Sequence, residues 1–279
     1  MKYSVIISTL LLSCSNLCAR EYNCNVVYSP KDSIRCEEIL NIPFNSDLQT
    51  TDIAKLFLKT PYLSGTLDRD SVERVVVRLD SVDCTTFVET ITALTLCINK
   101  NESKLSDFFK GIENIRYRKG ICDGYASRLH YFSEWILDNQ KRGIIEEIQP
   151  TNLIKEELRT INFMSCNTHK NGIKDNAVLS EIKATECFLS SLPFRYIPKN
   201  KITHLTTNIV SEGDIIAIVT DIEGLDISHV GFATFIEGEI HLLHASSAKN
   251  EVIIDALNLN DYLAKYKHHI GIKIVIPLK

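Results

Sequence analysis

The chain has 279 residues, of which 44% are hydrophobic and 24% charged, and its formal net charge is −4. This composition is typical of a globular protein rather than a disordered one, and the length suits one large domain or two small ones. Both signs of charge are spread along the sequence, so there is no basic stripe for a nucleic acid, and no glycine-rich loop is present that could hold a phosphate.

The first twenty residues have the pattern of an export signal. Lys2 precedes a mostly apolar run that is too short to span a membrane, and small and polar residues follow it. Cleavage after Ala19 would leave residues 20–279 as a single domain in the periplasm or outside the cell. The alternative is lipoprotein processing at LLSC, which would acylate Cys14 and anchor the protein to a membrane. No other segment approaches the ~20 apolar residues of a membrane helix.

The cysteines indicate an oxidising compartment but no metal site. Of the nine cysteines, two lie in the signal segment, and the odd number that remains leaves at least one thiol unpaired. Disulfides persist after export, and Cys24 with Cys36 is the first pair to suspect, although sequence cannot give the connectivity. There is no CxxC pair and no HExxH motif, so the sequence predicts neither a metal nor a cofactor.

The first elements lead to a cysteine at the start of a helix. SDLQTTDIAKLFLKTP predicts a helix from Ser46 to Pro61, PYLSGTLD a loop, and ERVVVRLDSVD a short strand. In SVDCTTFVETITALTLC the apolar residues recur at helical spacing, with Asp83 as a cap and Cys84 in the first turn. A helix N-terminus stabilises a thiolate, so we expect Cys84 to have a lowered pKa and to be a nucleophile. A buried core cysteine is the alternative.

The second half changes from helices to short strands. YASRLHYFSEWILDNQKRG predicts a strong helix, residues 144–200 form a poorly legible insertion, and the stretch from Lys174 to Leu192 is helical in pattern. From residue 213 onward GDIIAIVT, SHVGFATFIE, EIHLLHASS and VIID predict an antiparallel sheet with hairpin turns. A helix in LNLNDYLAKYKHH and a closing strand in GIKIVIPL follow. The order of the elements predicts an α+β fold.

Two histidines in this sheet are candidates to activate the thiol. His229 opens one strand, and His244 lies near the end of the next, which a hairpin would bring alongside. His229 would then be the base for Cys84, and His244 would orient its imidazole. A cysteine followed far downstream by a histidine is the chain order of papain. Each histidine alone could equally be a surface or a satisfied core residue.

Five segments, PYLSG, DCTTFV, EGDIIAI, HVGFATF and HA, resemble the NlpC-type cell-wall cysteine peptidases, a bacterial branch of the papain-like fold. PYLSGTLD, DCTTFVE, YASRLHYFSEWI, GLDISHVGF and HLLHASS more closely resemble an exported N-acetylmuramoyl-L-alanine amidase-like subfamily. The resemblance implies a papain-like α+β fold in which an antiparallel sheet packs against the helix that carries the nucleophile. It departs from the general pattern at Thr85-Thr86, where Ser-Gly is usual, and at Gly65-Thr66, where paired glycines are usual.

The resemblance also implies roles for individual residues. Cys84 matches the nucleophile, His229 the base and His244 the polar residue that orients it. Tyr62 matches a tyrosine whose hydroxyl lies near the sulfur and is expected to help the Cys84 N–H bind the oxyanion, beside Asp83. The implied reaction cleaves the amide between the lactyl group of N-acetylmuramic acid and L-alanine, with peptidoglycan fragments, especially anhydro-muropeptides, as substrates and no metal.

The sequence also offers weaker candidates for substrate binding and several alternative functions. Arg128 could bind a stem-peptide carboxylate through its guanidinium, but a solvated helix arginine is the more ordinary reading. The further candidates for substrate binding are Thr66, Asp68, Lys199 and Ser228. Glu89 is read as a helix-surface charge, and His130 and Trp135 as core residues. The alternative functions are a γ-D-glutamyl-diamino acid endopeptidase, a non-catalytic secreted binding protein, and a zinc amidase using Cys84, His229 and His244.

Overall fold

The computed structural model describes residues 26–43, 48–69, 72–168, 173–205 and 208–278. The expected export signal with Cys14, the suspected partner cysteine Cys24 and the expected helix start at Ser46 lie outside these residues. No helix in the described part of the chain is long and apolar enough to cross a membrane. Cys36 is buried with a free thiol.

The described residues form an α+β structure with eight α-helices. They are α1 (Pro30–Leu40), α2 (Thr50–Lys55), α3 (Cys84–Asn99), α4 (Leu105–Arg116), α5 (Phe132–Lys141), α6 (Phe163–Cys166), α7 (Asn176–Ser191) and α8 (Leu259–Lys265). The strands are β1 (Val26–Val27), β2 (Val75–Val76), β3 (Ile145–Ile148), β4 (Lys155–Glu157), β5 (Phe194–Pro198), β6 (Ile215–Thr220), β7 (Ile227–Ile236), β8 (Glu239–Ser246), β9 (Glu251–Asn258) and β10 (His269–Pro277).

The main sheet has eight strands, and all its recorded pairings are antiparallel. Its order is β4-β5-β10-β6-β7-β8-β9. The eighth strand, β3, pairs with the C-terminal part of β10, and β5 pairs with an earlier part of it. Strands β1 and β2 form a separate parallel pair. The meander β6-β7-β8-β9 has the hairpin connections that the sequence predicted. The closing strand β10 then returns to pair with β6.

Both faces of the central strands are covered, which explains the unbroken apolar run IIAIV in β6. Successive side chains of a strand point to opposite faces. Ile215 and Ala217 accordingly join a core that contains α3, whereas Ile216 and Ile218 join a second core that contains α8. The ring of Phe87 on α3 packs edge-on against Phe232 of β7, with centroids 5.7 Å apart. The helix that carries Cys84 is thereby held on the meander.

Several predicted elements differ from the structure in extent. The helix expected up to Pro61 ends at Lys55, and the strand expected over 73–83 is limited to Val75–Val76. The predicted helix 125–143 begins only at Phe132, because Arg128 is extended and its segment pairs with Tyr117 through a β-bridge. The last helix begins at Leu259 because the preceding residues pair with β8 up to Asn258. The poorly legible insertion contains β3, β4 and β5, which extend the main sheet, and it contains α7 where a helix was predicted.

Candidate active site

A capping box fixes the backbone at Cys84. The side chain of Asp83 accepts a hydrogen bond from the Thr86 N–H at 2.8 Å, and the hydroxyl of Thr86 accepts one from the Asp83 N–H at 2.9 Å. These reciprocal bonds satisfy two otherwise unpaired donors and make Cys84 the first helical residue of α3. The sequence prediction of a capped helix with Cys84 in its first turn is therefore confirmed.

The expectation of a low thiol pKa is wrong. Burial raises the pKa of Cys84 to about 11, and the neighbouring Asp83 carboxylate adds to this. Hydrogen bonds to the sulfur from the Val230 N–H and from the hydroxyl and N–H of Thr85 lower the pKa only in part. A helix terminus typically contributes about 0.3–1 kcal/mol, less than burying a charge can cost. The resting thiol is therefore protonated and needs a base to become a nucleophile.

His229 and His244 form a buried imidazole pair. His229 Nε2 lies 2.6 Å from His244 Nδ1, and the two ring planes are nearly perpendicular at 87°. Burial lowers the pKa of both rings: that of His244 falls to about 4 and that of His229 well below its ordinary value, with the neighbouring His244 adding to the effect on His229. Both rings are thus neutral at neutral pH, and one proton is shared between the two facing nitrogens.

The Asp255 carboxylate lies behind His244 and influences where the protons of the two rings lie. Its Oδ2 lies 3.6 Å from His244 Nε2, and its Oδ1 accepts a hydrogen bond from the Leu257 N–H at 2.9 Å. The separation between Oδ2 and His244 Nε2 is too long for a hydrogen bond, and His244 Nε2 has no hydrogen-bond partner among the described residues. The nearby negative charge still favours a proton on His244 Nε2, with His244 Nδ1 accepting from His229 Nε2. This assignment leaves His229 Nδ1 with a free lone pair. Asp255 was not predicted from the sequence, because an aspartate in VIID gives no sign of its orientation, which depends on the strand register.

Gly231 allows the two histidine strands to approach each other. A Cβ atom at Gly231 would lie 2.8 Å from His244 Cβ and 2.9 Å from the Leu243 carbonyl oxygen. Real Cβ atoms almost never come within 3 Å of such neighbours, and the carbonyl cannot rotate away as a side chain can. The glycine in HVGF therefore lets β8 hold His244 against His229.

Cys84 and His229 line the same small cavity, whose volume is about 80 Å³. Its walls come from the start of α3, the segment before α5 and the start of β7. The remaining lining residues are Thr85, Leu129, His130, Phe132, Leu225, Asp226, Ile227, Ser228 and Val230. The structure thus brings together the predicted Cys84 and His229, and His244 lies directly behind His229.

Tyr62 lies beside the start of α3. Its N–H donates to the Asn250 carbonyl at 2.8 Å, and its segment forms a parallel bridge with Val82, two residues before Cys84. Burial raises the pKa of Tyr62 to about 12, and the proximity of Cys84 and Asp83 adds to this. The phenol is therefore protonated and can act as a hydrogen-bond donor near the sulfur.

The weaker candidates are divided between the cavity and the rest of the molecule. Ser228 lines the cavity, whereas Thr66, Asp68, Arg128 and Lys199 do not. Thr66 is buried, and the Lys199 ammonium donates to the Leu263 carbonyl on α8 at 3.2 Å. These four remain unassigned as substrate contacts.

Arg128 is buried and is not a solvated helix arginine. Its guanidinium donates to both oxygens of Glu73 at 2.9 and 2.7 Å, to Asp68 at 2.8 Å and to the Leu67 carbonyl at 3.3 Å. Most of its donors therefore bind Leu67, Asp68 and Glu73. The guanidinium of Arg128 is thus occupied by partners within the chain rather than free to bind a substrate carboxylate.

The positions of Glu89, Trp135 and His130 test three further predictions from the sequence. Glu89 is not a surface charge: it is buried and pairs with Arg116 at 2.6 Å. Trp135 is fully buried against the Phe132 ring, so its core reading is confirmed. His130 was read as a core residue, yet it lines the cavity beside Cys84.

No group of three His, Cys, Asp or Glu side chains in the described ranges is arranged to hold a metal ion. The facing nitrogens of His229 and His244 are bonded to each other. The site combines a thiol and an imidazole that line one cavity, with a second imidazole and a carboxylate behind the first imidazole. Such an arrangement can carry out acyl transfer.

Comparison with known proteins assigns the chain to a family. The sequence profile of the N-acetylmuramoyl-L-alanine amidase-like family matches residues 52–272, most of the chain, and the chain belongs to that family. No curated protein matches the sequence.

Several solved structures are similar over most of their length. An N-acetylmuramoyl-L-alanine amidase from Bacteroides uniformis is 32% identical with a TM-score of 0.77, covering 83% of this chain and 98% of its own. A Bacteroides fragilis protein that carries the name of a xylanase is 35% identical with a TM-score of 0.74, covering 81% and 99%. A Legionella pneumophila protein with 22% identity and a TM-score of 0.68, covering 89% and 95%, shares the fold.

Proposed function

We propose that the protein is a cysteine amidase that hydrolyses the amide between N-acetylmuramic acid and L-alanine in peptidoglycan fragments. The observation that carries the proposal is the His229–His244 pair at 2.6 Å beside the cavity that Cys84 and His229 share, in a chain of the amidase-like family. The family resemblance further suggests anhydro-muropeptides as the favoured substrates and a papain-like, NlpC-type fold. Export as one domain of residues 20–279, after loss of residues 1–19, is part of the same proposal.

In the first half-reaction His229 Nδ1 takes the proton of Cys84, and the sulfur attacks the lactyl carbonyl carbon. The oxyanion accepts hydrogen bonds from the Cys84 N–H and the Tyr62 hydroxyl. When the C–N bond breaks, His229 returns the proton to the leaving amine of L-alanine, and a thioester remains on Cys84. In the second half-reaction His229 deprotonates a water that attacks the thioester, and the muramyl carboxylate and the thiol are released.

His244 and Asp255 support this proton transfer from behind. When His229 becomes an imidazolium, its Nε2–H donates to His244 Nδ1, and the Asp255 carboxylate stabilises the charge through His244. His244 takes the role of the orienting group in a catalytic triad, and Asp255 is a fourth member behind it. Asp255 is therefore a positioning residue for His229.

We expect replacing Asp255 with asparagine to lower kcat by about 10- to 100-fold. General-base catalysis as a whole contributes about 10²- to 10⁴-fold, and the 3.6 Å separation makes Asp255 responsible for only part of it. KM should change little, because Asp255 is not among the residues that line the cavity. The measurement is steady-state kinetics with Asp261→Asn, an exposed aspartate on α8, as the control. An unchanged kcat in Asp255→Asn would show that Asp255 does not support His229 in catalysis.

The pH dependence follows from the lowered histidine pKa values. His229 must be neutral to accept the thiol proton, so activity is present above its lowered pKa and is lost as the pH falls through it. We expect kcat/KM to stay level through the range in which an unperturbed histidine titrates, at about 6.5, and to decline only below it. A half-maximal point close to the unperturbed value would show that the imidazole pair is solvated during turnover.

The proposed function is tested by the products formed from a defined disaccharide-tetrapeptide, supplied in anhydro and reducing forms and analysed by mass spectrometry. The amidase releases the free disaccharide and the intact stem peptide. Cleavage inside the peptide would identify a γ-D-glutamyl-diamino acid endopeptidase, and binding without cleavage would identify a binding protein. A parallel reaction with a chelator tests the zinc amidase, which would lose activity and regain it with added zinc.

The name of the Bacteroides fragilis relative is not carried over to this chain. Glycoside hydrolysis ordinarily uses two carboxylates on either side of the scissile bond. Asp226 is the one carboxylate among the described residues that line the cavity. Xylan can be included as a further substrate in the same product assay, where no release of sugar is expected.

A further inference from the structure

The cavity beside Cys84 has a polar wall that the reaction steps above do not use. Its side chains are those of His130, Asp226 and Ser228. His130 lies just before α5, and the other two lie at the start of β7. Their hydrogen bonds determine what kind of group the cavity can accept.

The tautomer of His130 is fixed by the backbone. His130 Nε2 lies 2.8 Å from the Tyr125 carbonyl oxygen, so this nitrogen carries the proton and donates it. In the part of the chain that the structure describes, no hydrogen bond is made to Nδ1. Burial lowers the pKa of His130 to about 3, and the nearby Arg128 contributes. His130 therefore presents an unprotonated, neutral acceptor throughout the physiological pH range.

The other polar groups of this wall also act as acceptors. Asp226 Oδ2 accepts from the N–H and the hydroxyl of Ser133 at 2.7 and 2.5 Å, which holds this buried carboxylate in place. The hydroxyl of Ser228 faces the Ile218 carbonyl at 3.5 Å, and the Thr85 hydroxyl bonds to the sulfur. The fixed acceptors of this wall, His130 Nδ1 and the Asp226 carboxylate, therefore favour a substrate group that brings a donor of its own.

We propose that His130 is a specificity-determining residue whose Nδ1 accepts a hydrogen bond from a neutral amide N–H of the substrate next to the scissile bond. The proposal rests on the function proposed above and extends it to substrate recognition. A neutral donor is favoured over an ammonium because the cavity of about 80 Å³ is lined in part by apolar side chains, and an ammonium there would lose its hydration. The Asp226 carboxylate in the same wall already accepts two hydrogen bonds from Ser133. A muropeptide offers two such donors, the sugar acetamide on the acyl side and the second stem amide on the amine side.

Two substitutions at His130 separate recognition from a structural role. In His130→Gln the amide N–H replaces Nε2 as donor to the Tyr125 carbonyl, and no acceptor remains at the Nδ1 position. In His130→Asn the carbonyl oxygen occupies the Nδ1 position, and the bond to Tyr125 is lost. We expect His130→Gln to lower kcat/KM by about 10- to 100-fold, mainly through KM, because the substrate donor would be buried without a partner. His130→Asn should retain more activity than His130→Gln. The opposite order would assign His130 to structure and overturn the proposal.

Substrate analogues identify which donor binds. One analogue carries an N-methyl group on the second stem amide, and the other has the sugar acetamide replaced by an acetate ester. With the wild-type enzyme, the analogue that lacks the bound donor should show a kcat/KM lower than that of the parent substrate by about the same factor as His130→Gln causes. With the His130→Gln variant, the same analogue and the parent substrate should have similar kcat/KM values. The proposal would be overturned if each analogue lowered kcat/KM by the same factor in the wild type as in His130→Gln.

Binding measurements keep this test separate from that of the reaction. Calorimetry with Cys84→Ala and with Cys84→Ala/His130→Gln reports the affinity of the parent fragment and both analogues without turnover. If the wild type does not cleave the parent fragment, the proposed function fails, while weaker binding by the double variant would still support the role of His130. Equal binding by both variants would overturn that role alone.

Discussion

Replacing Cys84 with serine is expected to lower kcat by about 10⁴- to 10⁶-fold, the range typical for loss of a nucleophile that works together with its base. The serine hydroxyl is a weaker nucleophile, and its ionisation is disfavoured by the same burial that raises the pKa of the thiol to about 11. The fold should be unaffected, since serine is similar in size and is well suited to the first turn of α3. Steady-state kinetics and circular dichroism on the same preparation check both expectations.

Cys187 provides the matched control for this experiment. It is an exposed free cysteine on α7, on an element that contributes no residue to the cavity. Cys187→Ser should therefore keep wild-type kcat and KM. Turnover by Cys84→Ser within tenfold of the wild type would rule out a thioester on Cys84.

Replacing Glu89 with alanine is expected to lower the free energy of unfolding by about 3–5 kcal/mol, the cost of leaving one partner of a buried ion pair without its counter-charge. Glu89 Oε2 lies 2.6 Å from Arg116 Nε, and both side chains are only 3% exposed. Arg116 also donates to the Val76 carbonyl, so the pair links α3, α4 and β2 beneath the nucleophile. Urea unfolding of Glu89→Ala and the wild type gives the difference.

An exposed ion pair of the same geometry serves as the control. Arg195 Nε lies 2.6 Å from Glu156 Oε2, but these side chains are 45% and 52% exposed. Glu156→Ala should cost less than about 1 kcal/mol, because solvent screens an exposed pair. Similar losses in the two variants would show that burial of the Glu89–Arg116 pair contributes little to stability.

The sequence was sufficient to predict the residues closest to the proposed chemistry. The capped helix start at Asp83 and the hairpin between the two histidine strands are local features, governed by side-chain capping and alternation along neighbouring strands. These features bring Cys84 and His229 to the same cavity and place His244 behind His229. The amidase-like family was also recognisable, because its motifs occur in order along the chain.

Other features depend on contacts between distant residues and could not be predicted. Asp255 reaches His244 through the β8–β9 register, in which His244 pairs with Ile253, two residues before Asp255 and on the same face. The burial of Glu89 depends on Arg116, 27 residues further along the chain. The thiol pKa depends on how deeply the sulfur is buried, which the helix-terminus argument could not take into account.

The insertion at residues 144–200 was hard to predict because two of its strands are short and polar. β3 is IEEI and β4 is KEE, and neither has the alternating or apolar pattern of a typical strand. β3 is a strand because its backbone pairs with β10, and β4 because its backbone pairs with β5. Pairing partners so far away in sequence leave no local signal in the strands themselves.

The most direct test of the account is the intact mass of the enzyme, measured by rapid quenching during turnover of a disaccharide-tetrapeptide. The account predicts an acyl adduct on Cys84 whose added mass is that of the disaccharide with its lactyl group and no amino acid, and no adduct in Cys84→Ser. An adduct that also contains L-alanine and D-glutamate would indicate cleavage within the stem peptide. Product formation with no adduct on Cys84, or with activity retained in Cys84→Ser, would contradict the proposed nucleophile.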